Sequence, residues 1–123
     1  VELRATNVAK AHYEALGFHI EDTSANKPYD LLCRQGAQLI RVEVKGLSGA
    51  VGAVGVTYNE VESARDQNFR TDLFIVHSIE VKEIGLKKYR GDDGIVVIEE
   101  EWRPLEERLK PVSYRYSPLE VED

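Results

Sequence analysis

The sequence predicts an α/β domain built on a mixed sheet flanked by helices, and three observations carry that prediction. Val1 to Leu16 repeats apolar residues at helical spacing. Three segments between Phe18 and Gly46 alternate with period two and are joined by short turns. A nearly unbroken apolar run, Asp72 to Ile79, follows a second helical segment. Short connections favour antiparallel neighbours, whereas a helix between two strands favours a parallel pair, so one sheet should contain both. At 123 residues the chain suits one domain with one core.

The first helix places Ala5, Ala9, His12 and Leu16 on one stripe, widened by Val8 and Tyr13. Gly17 is positioned to end it as the residue after the C-cap. His12 reads as a packed histidine and Glu14 as a solvated one-off from the stripe. Phe18–Thr23 gives a strand and 24–28 a turn; Tyr29–Arg34 gives a second strand and Gln38–Gly46 a third, so the three form an antiparallel meander. Gly46 to Gly55 has a glycine every third residue. No Gly-Lys-Ser/Thr follows it, so it is no phosphate-binding loop but a flexible connection, either a plain linker or a mobile loop that skirts DNA. Val54–Thr57 reads as a brief strand. Thr57-Tyr58-Asn59-Glu60 is then a capping box opening a helix to about Phe69, with Val61, Ala64 and Asn68 or Phe69 toward the sheet. Asp72–Ile79, with His77 in phase with Leu73 and Ile75, reads as a strand buried on both faces and paired in parallel.

The third strand holds the candidate chemistry. Ile40, Val42 and Val44 point one way; Arg41, Glu43 and Lys45 point the other. Glu43 and Lys45 are thus a carboxylate and an ammonium roughly 7 Å apart along one strand face. Asp30, at the start of the adjoining strand, lies where it can converge with Glu43 on one hard cation held through oxygen. Lys45 would orient or activate an attacking water. Arg41 reads as a surface residue. Glu2 lies on the stripe of the first helix, in its first turn, where a carboxylate complements the helix dipole.

Pro28-x-Asp30…Glu43-x-Lys45 resembles the PD-(D/E)xK nuclease superfamily, with Tyr29 interrupting the Pro-Asp pair. Within it, residues from about Ala5 to Val76 resemble the NO VEIN C-terminal-domain family. The matching features are Glu14-Ala15-Leu16-Gly17-Phe18, Tyr29-Asp30-Leu31, Val42-Glu43-Val44-Lys45-Gly46 and Thr57-Tyr58-Asn59-Glu60. The resemblance implies a restriction-endonuclease-like core of order αβββαβ with a C-terminal elaboration. It implies Mg²⁺-dependent DNA cleavage, with Mn²⁺ able to substitute, in which Asp30, Glu43 and Lys45 are catalytic. The cation's ligands would be Asp30, Glu43, the Val44 carbonyl and Glu2, and an active-site contact for Glu60 stays open. It also implies attachment to helicase, ATPase or methylation-related modules in a restriction or defence protein. The other reading is a catalytically silent nuclease fold serving nucleic-acid recognition or protein interaction.

The core is expected over 1–80, with 81–123 an extension of the same domain. There, Gly91–Gly94 reads as a turn, Ile95–Ile98 as a strand, and 102–109 as holding one short helix after Pro104. The tail 110–118 is expected to be extended; its Tyr114-Arg115-Tyr116 either stacks on nucleotides or docks on the sheet. Glu99-Glu100-Glu101 reads as a solvated strand end or a second cation site. Net charge is −6, which argues against an autonomous high-affinity DNA binder. Residues 1–98 carry 12 Lys and Arg against 14 Asp and Glu, and residues 99–123 carry 4 against 8. DNA affinity would therefore come from other modules. A chain opening on Val fits an excised piece of a longer protein. The single cysteine, Cys33, reads as a buried structural thiol in a reducing cytoplasm. No apolar run approaches the roughly eighteen residues of a membrane span, so no membrane partner is expected.

Overall fold

The computed structural model describes residues 1–119. Its elements are α1 (Glu2–Ala15), β1 (His19–Asp22), β2 (Leu31–Gln35), β3 (Gln38–Gly46), α2 (Tyr58–Arg65), β4 (Arg70–His77), β5 (Glu80–Gly85), β6 (Lys88–Asp92), β7 (Ile95–Glu99) and a 3₁₀ turn at Glu106–Arg108. The expected order αβββαβ is met up to β4. The five-stranded sheet runs β1-β2-β3-β4-β7. Its pairs are antiparallel except β3–β4, the pair bridged by α2.

Alternation in β3 sorts the two sides of the sheet. Ile40, Val42 and Val44 join Leu31, Cys33, Phe74 and Val76 beneath α1, which buries Ala5, Ala9 and Tyr13 against them. Each large side chain removed from water there contributes about 1.5–3 kcal/mol. The stripe thus ends on Tyr13, while Leu16 is 56% exposed. The reason is α1's Schellman end, in which Phe18 N–H donates to the Tyr13 carbonyl and Gly17 N–H to that of Glu14. Gly17 supplies the φ of +93° that this motif needs. His12 packs against Tyr13 and Phe74, with ring centroids 4.9 and 5.3 Å away. Burial pushes the Cys33 thiol up to about 12, which makes it inert near neutral pH.

The opposite side lies under α2. The capping box is formed: Glu60 N–H donates to Thr57 Oγ1 at 3.1 Å, and Thr57 N–H to Glu60 Oε1 at 2.8 Å. α2 stops at Arg65, short of Phe69, because the Asp66 side chain accepts the Asn68 N–H at 3.0 Å. Such a local turn competes with helical bonding.

Four expectations are corrected. Val54–Thr57 forms no strand, because β4 already occupies that flank of β3. His77 is half-buried beside Ser78 Oγ, not packed in the core. The helix expected within 102–109 shrinks to the 3₁₀ turn. Tyr114 and Tyr116 are exposed, so the tail does not dock on the sheet. The β5–β6 hairpin was not anticipated. The expected strand at 95–98 is β7, which adds to the same sheet at the free side of β4. No helix among the described residues is long and apolar enough to cross a membrane.

Candidate active site

The site forms where β3 leaves the sheet between α1 and α2. Gly46 is required there, because a Cβ would lie 2.9 Å from both the Ala5 side chain and the Val1 carbonyl. β3 therefore passes the first turn of α1 at backbone contact distance at Gly46, directly after Lys45.

Glu43 and Lys45 share the α2 side of β3, as alternation requires. Glu43 is 3% exposed, and its Oε2 is buried without any hydrogen-bond partner. Its Oε1 lies 3.4 Å from Lys45 Nζ, which also reaches Glu60 Oε1 at 3.1 Å. Asp30 directly precedes β2, whose pairing sets Leu31 opposite Val42. Its N–H donates to the Val42 carbonyl, and its Oδ2 accepts the Val44 N–H at 2.8 Å. The same side chain that stands beside Glu43 therefore also fixes the backbone between Glu43 and Lys45.

The charges are set by this crowding. Burial, then the Glu60 carboxyl and the charge of Asp30, push Glu43 up to about 9, and Lys45 offsets only part of this. Burial also opposes ionisation of Glu60, but Thr57 N–H, Glu43 and Lys45 outweigh it and hold its pKa below the ordinary value. Burial disfavours the Lys45 ammonium, yet Glu43 and Glu60 overcome it and its pKa is raised. Glu60 thus carries the charge that pairs with Lys45. Glu43 is a carboxyl short of positive charge, with one oxygen unused.

A hard divalent cation fits that deficit: it would neutralise Asp30 and Glu43 together and occupy the orphaned oxygen. Glu43 and Lys45 are in contact, Asp30 is near enough for its charge to raise Glu43, and Asp30 holds the N–H of Val44 between the other two. Glu2 is exposed at the start of α1 and lines a cleft of about 290 Å³ with Asp30, Asp22 and Lys10. Among the described residues, no three Asp, Glu, His or Cys side chains are grouped as a ready cation site, so Glu2 does not complete one with Asp30 and Glu43. Glu99, Glu100 and Glu101 form no second site either; Glu100 lies 3.8 Å from Arg70, and Glu101 N–H donates to Asp72.

Two features were not located from sequence. Glu60 was recognised as a capping residue, but its contact with Lys45 follows only from the packing of α2 over β3. Arg41 is no free surface residue. Its guanidinium lies 3.7 Å from the Phe69 ring centroid and 4.8 Å from that of Tyr29, and it donates to Ser63 Oγ. It forms one wall of an open cleft of about 730 Å³ that also takes in Lys27, Asn59 and Glu60. This cleft leads directly to Lys45's partner.

No curated protein and no solved structure matches the chain. The family model for the C-terminal region of the protein NO VEIN matches residues 1–87, which contain α1 to β5 and every residue of the candidate site; the chain belongs to the NO VEIN C-terminal family.

Proposed function

We propose that this domain is a PD-(D/E)xK-type nuclease that hydrolyses DNA phosphodiester bonds with Mg²⁺, or Mn²⁺ in its place, within a larger restriction or defence protein. The observation that carries the reading is Glu43. It is a buried carboxyl with an unpartnered oxygen, flanked by a second acid and a fixed ammonium, and such a group is costly unless it has a task. A bound divalent cation would supply charge neutralisation and a more acidic water. Asp30 and Glu43 would hold it, with the Val44 carbonyl as a further oxygen donor. Lys45 is kept protonated, so it donates hydrogen bonds to the attacking water or to the phosphoryl oxygens as negative charge develops. It does not take the water's proton. Each turnover adds one water across one P–O bond: the water oxygen ends on phosphorus, and the leaving oxygen gains a proton. The cleft beside Arg41 would receive the substrate strand. With a net charge of −6, the domain needs affinity from helicase, ATPase or methylation-related modules of the parent chain.

The second reading, a silent nuclease fold that recognises nucleic acid or a partner protein, is favoured by the lack of a three-ligand group among the described residues. Plasmid nicking by the parent protein in Mg²⁺ and Mn²⁺ decides between them. Asp30→Ala, Glu43→Ala and Lys45→Ala should each lower cleavage by about 10²–10³-fold, with Lys45→Ala alone retaining cation binding. If the wild-type protein cleaves neither DNA nor RNA in either metal, the silent reading replaces the enzyme.

A further inference from the structure

We propose that Glu60 is a positioning residue for Lys45, a role that rests on the nuclease reading above and goes beyond Glu60's part in the helix cap. Lys45 has a four-carbon stem, and an ammonium on such a stem samples many positions unless it is held. Two carboxyl oxygens hold it here, Glu43 Oε1 at 3.4 Å and Glu60 Oε1 at 3.1 Å. An ammonium has three N–H donors, so one remains for a substrate oxygen. If Glu43 is engaged with a cation, Glu60 is the partner left to the lysine.

Glu60 is itself fixed. The oxygen that accepts from Lys45 also accepts the Thr57 N–H at 2.8 Å. Glu60 Oε1 therefore joins both ends of the glycine-rich connection 46–56: Lys45 just before it and Thr57 just after it. The start of α2 sets where the ammonium stands, and the connection can move without moving either anchor. The charge is informative as well. A capping box works with Glu or Gln at this position, so the cap alone does not call for a carboxylate. The lysine does.

Glu60→Gln separates the two roles, since it keeps an oxygen for Thr57 N–H while removing the charge beside Lys45. The melting temperature should stay near that of the wild type. The kcat for DNA cleavage should fall about tenfold to a hundredfold with KM little changed, as expected when a reacting group is held loosely. The Lys45 ammonium, followed by NMR of its side-chain ζ group, should be held less firmly in the variant and exchange its protons with water severalfold faster. Wild-type kcat in Glu60→Gln overturns the proposal. If wild-type protein has no cleavage activity, the nuclease reading fails by itself, and the exchange rate still decides the contact. An unchanged exchange rate in Glu60→Gln then overturns it, and a severalfold faster one upholds Glu60 as the group that holds the ammonium.

Discussion

Glu43 and Asp72 sit on neighbouring parallel strands, one on each side of the sheet, and the fold removes both from water, to 3% and 1% exposure. Asp72 faces α1 and is fully partnered. Tyr13 Oη donates at 2.7 Å, Arg70 Nε at 2.9 Å and Nη2 at 3.2 Å, and Glu101 N–H at 3.1 Å. Glu43 faces α2 and has a lysine at 3.4 Å that it shares with Glu60, plus an oxygen with no donor. Burial costs both carboxyls their hydration. Asp72 recovers it through four donors that tie α1, β4 and the segment after β7 together, which is the work of architecture. Glu43 recovers less of it: the facing Glu60 carboxyl favours its protonated form while its Oε2 is left without a partner, and a carboxyl in that state is suited to exchange its proton for a cation.

The largest effect should come from breaking the satisfied acid. Asp72→Ala strands Arg70 and the Tyr13 hydroxyl, and should destabilise the fold by about 3–5 kcal/mol, seen as a drop of at least 10 °C or so in melting temperature. The unsatisfied acid should behave in the opposite way. Glu43 has a pKa raised from 4.5 to about 9, so its folded state binds a proton that its unfolded state releases. Stability from that proton is fully present below pH 4.5 and is lost as pH rises through about 9. Glu43→Gln imitates the protonated form. Without divalent cations it should be more stable than wild type by on the order of 2 kcal/mol at pH 8, with the gap closing by pH 4.5. Denaturant melts at both pH values check this, and a Glu43→Gln protein less stable at pH 8 would break the contrast. Smallest should be Tyr13→Phe, which removes one of Asp72's four donors and should cost about 1–2 kcal/mol while leaving any cation binding at Glu43 untouched.

Much of this contrast is legible in the amino-acid sequence, but unevenly. The alternation in β3 put Glu43 and Lys45 on one side because the period of a strand is fixed. Thr57-x-x-Glu60 announced its cap because the box is local. Asp30 could be placed opposite Glu43 because the turn between β2 and β3 is short. Asp72 was legible only as the start of an apolar strand. Its partners Tyr13 and Glu101 are distant in sequence, and no local pattern announces them. The Glu60–Lys45 contact was hidden for the same reason. The β5–β6 hairpin escaped because its turn is Leu86-Lys87, with Lys87 at φ 56°, where Asn-Gly would have been the recognisable choice. The brief strand expected at Val54–Thr57 failed on topology: it follows β3, and both flanks of β3 are already taken by β2 and β4.

The central claim is that Asp30 and Glu43 together form a cation site that Lys45 serves, and Mn²⁺ titration by calorimetry tests it most directly. Wild-type protein should bind Mn²⁺ with proton release at pH 7.5, since Glu43 must give up its proton to become a ligand. Glu43→Gln should lose that binding event while remaining folded. No Mn²⁺ bound by the wild type, or unchanged binding in Glu43→Gln, would contradict the account.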